Sequence, residues 1–327
     1  MRSDSIEELR IGVIGAGSIG RRHAGNLKML GVAGVLVTDP DAEALARAAD
    51  LGVKTEVSMD AFFASELDAI WVCSPPHLHV EHSRRALKSG CDLFIEKPIS
   101  HTFEGISDLM RIAEERGRVT MVACNMRFHP GPARIKALIE DGSLGRIISA
   151  RLQTGSFLPR WRPWQDYRNS YTASKEHGGA ILDCIHEIDL ALWYFGPARL
   201  RAAARAPATT LGLETEGLAE LLLEHASGIL SSVHLNFLQR NYRRICEVIC
   251  ENGTLFWDFG TGEVVRFDEE GAPGQSFPAP PGYEINAMYV DEARHFLNAV
   301  VSREASCNPL AGGLAALEIG LAARTFS

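Results

Sequence analysis

The chain has 327 residues, 46% of them hydrophobic, with a formal net charge of -8 and a pI near 5.8. That is enough apolar material for two cored domains. The acidic balance excludes a basic nucleic-acid footprint, and Met1–Leu9 contains no apolar run of the kind a leader or membrane span needs. Seven cysteines, at 73, 91, 124, 184, 246, 250 and 307, form no CxxC pair and predict a reducing, cytoplasmic setting.

In chain order, Ile11, Val13 and Ile14 predict a short buried strand, and Ser18 to about Leu30 a helix. Between and into them run Gly15, Gly17 and Gly20, in G-x-G-x-x-G spacing. Gly15 permits the tight turn, Gly17 lets a pyrophosphate approach the backbone, and Gly20 lets helix and strand pack closely. Ser18 and Ile19 open the helix, whose N–H groups and dipole would face the phosphates. Val35–Thr38 is the next strand, ending at Asp39. A carboxylate there accepts from both ribose hydroxyls and repels a 2′-phosphate, which favours NAD over NADP. Asp39 could instead only open the turn Asp39-Pro40-Asp41 and cap the next helix, and Arg21 or Arg22 could accommodate a phosphate.

Helix 42–50, strand 53–55 and helix 59–65 follow, then the apolar strand Ala69–Cys73, helix 80–89, strand Leu93–Ile95, helix 103–116 and strand Thr120–Cys124. This alternation predicts a doubly wound parallel sheet over 1–125. Gly15, Asp39, Ser74, Lys97 and Asn125 all fall at strand carboxyl ends, where such sheets bind ligands. Lys97, between Glu96 and Pro98, is either a rigidly presented lysine that holds a substrate hydroxyl or a solvated lysine beside a turn. His77, His79 and His82 lack a carboxylate or cysteine to complete a metal set, so no metal is expected.

Beyond Asn125 the pattern changes. Helix 132–141 leads to strands at 147–154, 218–224, 229–237, 244–250, 254–259 and 264–267, several separated by glycine turns, as in a mostly antiparallel sheet. Pro273–Pro281 reads as a connection, and 284–301 and 314–324 as helices. The expected division is 1–125, 126–305 and a C-terminal helical segment, 306–327, packing back on the first domain. Within the second domain, apolar positions 181, 182, 185, 188, 190 and 192 follow a helical period. Asp183, His186 and Asp189 are three apart, so two carboxylates would flank and orient an imidazole able to take an alcohol proton, or form a polar cluster that only satisfies buried groups. The loop before it interleaves Trp164, Tyr167, Arg168 and Tyr171, suited either to stacking on a sugar and forking an anion or to a lid or oligomer contact.

As an ordered set these residues resemble the Gfo/Idh/MocA family. The marks are Gly15-Ala16-Gly17-Ser18-Ile19-Gly20, Ser74-Pro75 with His79, Glu96-Lys97-Pro98, Asn125 with Arg127-Phe128, and Gly178-Gly179 leading to Asp183 and His186-Glu187-Ile188-Asp189. The resemblance implies a Rossmann domain plus a domain with an open, predominantly antiparallel sheet. It implies NAD(P)-linked oxidation or reduction at a carbinol carbon of a sugar, amino sugar, nucleotide sugar or inositol, and a homodimer or homotetramer formed through the open sheet. It makes Lys97, His186 and Asp183 catalytic and sets Ser74, Pro75, His79, Glu96, Asn125 and Lys97 itself at the cofactor. It sets Arg127 and the Trp164–Tyr171 loop, with Asp183 and His186, at the substrate. Two departures stand out. The Asp–His interval is three where many members have four, and Ser74-Pro75-Pro76 replaces Thr-Pro-Asn. Some members are regulators, so a dinucleotide-responsive protein without turnover is the alternative.

Overall fold

The computed structural model describes residues 5–326, so the stretch Met1–Leu9 lies partly outside it. The chain forms two compact units, 1–125 with 285–314 and 126–284 with 315–327.

In the first unit β1 (Arg10–Ile14), α1 (Ser18–Met29), β2 (Gly34–Thr38), α2 (Ala42–Ala49), β3 (Lys54–Glu56), α3 (Met59–Ala64), β4 (Ala69–Val72), α4 (His79–Lys88), β5 (Asp92–Ile95), α5 (Ile106–Glu115) and β6 (Thr120–Val122) alternate strictly. All the strands pair in parallel in the order β3-β2-β1-β4-β5-β6. β4 and β5 are buried at every position, as strands covered on both faces must be. Trp71 of β4 stacks on Phe94 of β5 with centroids 5.1 Å apart. The order reverses between β1 and β4, and the crevice beyond their carboxyl ends is where such a sheet takes a ligand.

The second unit holds α6 (Pro130–Glu140), β7 (Ile147–Phe157), α7 (Ala180–Asp183), α8 (His186–Phe195), β8 (Ala198–Pro207), β9 (Glu216–His225), β10 (Leu230–Asn236), β11 (Leu238–Cys250), β12 (Gly253–Asp258), β13 (Glu263–Phe267) and β14 (Pro273–Phe277). Its eight strands run β14-β13-β12-β11-β7-β10-β9-β8, antiparallel except for β7 with β10. Burial alternates along β9 and β12, so one face holds the core and the other is open. Two strands differ from expectation. β8 is alanine- and arginine-rich and largely exposed, with no apolar alternation to announce it. β14 occupies what reads as a connection. It is an edge strand, where Pro273 at the first position costs no ladder bond.

Helices α9 (Asn286–Ser302) and α10 (Leu310–Thr325) complete the chain. The linear division at 126–305 does not describe them. α9 groups with the first unit, where its Phe296 sets an edge on Trp71 at 5.1 Å, and α10 is divided after Leu314. Among the described residues no helix is long and apolar enough to cross a membrane.

Candidate functional site

In the first unit the three glycines have three different reasons. Gly15 has φ +103°, and a Cβ there would meet the Cys73 carbonyl oxygen at 2.7 Å. At Gly20 a Cβ would lie 1.8 Å from the Gly15 carbonyl oxygen, so α1 could not pack onto the turn. At Gly17 a Cβ would meet nothing within 4 Å, and Gly17 and Ser18 are exposed. Gly17 is also the N-cap of α1 and supplies no capping side chain, which leaves the first-turn N–H groups of Ser18, Ile19 and Gly20 to an outside acceptor. This open cradle fits a dinucleotide pyrophosphate.

Asp39 is not the cap of α2, a role taken by Asp41, which accepts from Glu43 N–H. The Asp39 carboxylate accepts instead from Ala16 N–H at 2.6 Å and Asp41 N–H at 2.9 Å, tying the end of β2 to the glycine turn. Arg21 donates to the Ala16 carbonyl at 2.7 Å, and Arg22 lies over the Tyr289 ring at 4.5 Å.

The loops after β4 and β5 are bound together by His79. Its Nε2 lies 2.7 Å from the Ser74 carbonyl oxygen and its Nδ1 2.8 Å from that of Pro98. Burial pushes this imidazole down to about 4, against both carbonyls and Glu96, which favour its charged form. His82 Nδ1 meets Ser74 Oγ at 2.9 Å. His79 and His82 thus hold loops in place, and His79 stands behind Ser74 and Pro98 at 1% exposure. Pro75 is exposed. Asn125 is buried, and its Oδ1 has no hydrogen-bond donor among the described residues, a vacancy an amide or hydroxyl of a bound cofactor would fill. Glu96 is buried between His23 and the Lys97 backbone. Burial alone would raise its carboxyl, but the His23 hydrogen bond and the Lys97 charge hold it below its ordinary value. Throughout 91–100 every residue is buried except Lys97.

The second unit presents His186 in the same way: through 178–191 it alone is not buried. The continuous helix expected here is broken at Cys184-Ile185, between α7 and α8, so Asp183 and His186 are not on one helical face. Asp183 and Asp189 each have a partner of their own. Asp189 is forked by Arg127, Nε to Oδ2 at 2.9 Å and Nη2 to Oδ1 at 2.6 Å. Glu187 pairs with Arg244 at 2.7 Å, and its carboxylate keeps that guanidinium charged against the opposing effect of burial. Arg127 therefore braces α8 rather than standing open to an anion. Asp183 accepts from the Tyr171 hydroxyl at 2.9 Å. That meeting depends on Gly178 and Gly179. A Cβ on Gly178 would strike the Tyr171 carbonyl oxygen at 2.2 Å, and Gly179 has φ +98°. In the rest of the loop, Tyr167 donates to the Leu211 carbonyl at 3.0 Å, Arg168 lies over Tyr167 at 4.8 Å, and Trp164 is 73% exposed.

Two buried groups carry no sequence motif of their own. His23 follows the glycine triplet on α1, where its placement beside Glu96 depends on the fold. Glu292 of α9 is fully buried and accepts from Cys124 N–H at 2.5 Å, beside Asn125. It sits beside Asp291 and just before Arg294 and His295, so nothing local sets it apart.

Comparison with known proteins gives two family matches. Residues 9–124 match the model of an oxidoreductase family with an NAD-binding Rossmann fold, and 132–256 match the GFO/IDH/MocA C-terminal domain. Inositol 2-dehydrogenase 4 of Saccharopolyspora erythraea is 28% identical over 264 residues, 76% of this chain and 73% of its own. Two solved structures share the fold. Levoglucosan dehydrogenase in complex with NADH and levoglucosan superposes with a TM-score of 0.87 at 21% identity, covering 97% of this chain and 96% of that one. UDP-N-acetylglucosamine 3-dehydrogenase of Acidithiobacillus ferrooxidans gives 0.80 at 23%, covering 97% of each.

Proposed function

Because the chain belongs to the Gfo/Idh/MocA family of NAD-binding oxidoreductases, we propose that it is a dehydrogenase acting on a CH–OH carbon of a sugar, amino sugar, nucleotide sugar or inositol. The observation that carries this reading is the pair of exposures just described. In two otherwise buried stretches, Lys97 and His186 alone are only partly buried, and both can hold or move a proton. When bound, NAD(P) supplies the acceptor or donor of the hydride. Gly15, Gly17, Ser18, Ile19 and Gly20 hold its pyrophosphate, Asp39 its ribose, and Ser74, Pro75 and Asn125 border its nicotinamide. Lys97 donates a hydrogen bond to the reacting oxygen and polarises it, and His186 takes the hydroxyl proton on oxidation and returns it on reduction. Asp183, held by Tyr171, accepts from a neighbouring substrate hydroxyl, and the Trp164–Arg168 loop covers the sugar.

Asp39 beside the glycine turn, with Arg21 turned to the Ala16 carbonyl, supports NAD over NADP. The open sheet face, with Leu222 39% and Leu230 45% exposed, supports a homodimer or homotetramer. Sedimentation equilibrium would then give two or four copies, and a monomer would contradict it. The seven scattered cysteines, six of them buried as small apolar side chains, support a cytoplasmic setting. The test of function is the appearance of reduced nicotinamide when NAD is offered with a panel of sugars, amino sugars, nucleotide sugars and inositols. Turnover of at least one is expected. Tight NADH binding with no turnover on any would favour a dinucleotide-responsive regulator.

A further inference from the structure

Resting on the reading of Lys97 as the group that holds the reacting oxygen, we infer that His23 is a positioning residue: it donates from Nε2 to Glu96 and so fixes the carboxylate on which the Lys97 segment is built. His23 is 0% exposed on α1. Its Nε2 lies 2.8 Å from Glu96 Oε1, and the other carboxylate oxygen accepts Lys97 N–H at 3.1 Å. One carboxylate thus joins the glycine-turn helix to the backbone of the lysine. The ring cannot swing away. It is wedged edge-on against Phe94 at 5.3 Å and Tyr289 at 6.2 Å, and Arg22 lies over the Tyr289 ring at 4.5 Å. Nδ1 has no partner among the described residues, an expensive state for a buried polar atom that packing alone does not explain.

The groups that act on Glu96 and its neighbours come from several elements. His23 comes from α1, Lys97 from the segment after β5, Cys73 from the end of β4, His79 from α4, and Glu292 of α9 lies beyond Cys73. Cys73 is pushed up by its burial and by both carboxylates, so it stays a thiol and adds no charge. Of these neighbours only His23 hydrogen-bonds to the Glu96 side chain from another element.

The experiment compares His23→Leu, His23→Gln and Lys97→Met in the full chain. His23→Leu should bind NADH as the wild type does, while kcat falls on the order of tenfold through misplacement of Lys97. Losing the donor raises the Glu96 carboxyl. The part of the acid limb of kcat/KM that reports Glu96 therefore moves to higher pH. In the cofactor-free protein the loss of stability on acidification, read by urea unfolding, is smaller than in the wild type, because a less depressed Glu96 carboxyl loses less on protonation. His23→Gln, whose amide can reach the same oxygen, should restore kcat and both pH dependences. Wild-type kcat and pH limb in His23→Leu, with Lys97→Met inactive, would overturn the inference and leave the functional reading intact. Full turnover by Lys97→Met would overturn that reading and this inference with it. Should His23→Leu fail to fold, Glu96→Gln must show the tenfold fall, and normal turnover there overturns the inference.

Discussion

Asp39 shows what a single residue contributes on two levels. Its carboxylate closes the glycine turn through Ala16 N–H and still has lone pairs for two hydroxyls. Removing its charge while keeping a short polar side chain should relax cofactor choice. Asp39→Ser is expected to raise the NADP-to-NAD ratio of kcat/KM on the order of tenfold, since repulsion of a 2′-phosphate is lost. An unchanged ratio, measured at one ionic strength, would remove Asp39 from cofactor selection. Residues of this kind are legible in sequence because strand ends and glycine turns are local. Their partners are not. Arg127 and Asp189 are 62 positions apart and Arg244 and Glu187 are 57 apart, so no spacing along α8 could say which carboxylates were already paired. Asp189 is engaged by Arg127 and Asp183 by Tyr171, partners that the three-residue spacing around His186 does not announce. The expectation of a flanked imidazole assumed one unbroken helix.

At the level of elements, α6 is set by His129, whose Nδ1 accepts from Gly131 N–H at 3.1 Å as an N-cap. The ring sits among Trp257, Phe259 and Tyr283, and Gly131 is required because a Cβ would lie 2.0 Å from Trp257 Nε1. Burial, with the nearby Arg244 charge, pushes His129 from 6.5 down to about 4. The unfolded chain therefore binds the proton more readily. The stabilising contribution is complete above pH 6.5 and is lost as the pH falls toward 4, amounting to about 2 kcal/mol at pH 5. His129→Asn keeps an acceptor for the cap and cannot titrate there. Its unfolding free energy should fall less between pH 7 and pH 5 than that of the wild type, by about 2 kcal/mol. Equal pH dependence in urea unfolding would contradict this. The strands that escaped notice, β8 and β14, are both edges of the second sheet, where exposure removes the apolar alternation that announces inner strands.

For the whole molecule, the first unit was legible because its strands alternate with helices in sequence and pair nearly in order. The second was legible only as a class. Its sheet inserts β7 between β11 and β10 and pairs β7 with β10 in parallel, a topology that periodicity does not encode. The grouping of α9 with the first unit follows from aromatic packing of Phe296 on Trp71 and Phe94, again a long-range fact. Across both units the account rests on Lys97 acting on the substrate rather than on the cofactor. The most direct test is the turnover of Lys97→Met set beside its NADH affinity, on whichever substrate the panel yields. The account predicts a fall in kcat of about a hundredfold or more, as for loss of a proton-handling group, with NADH binding unchanged. Wild-type kcat, or a loss confined to NADH binding, would contradict it.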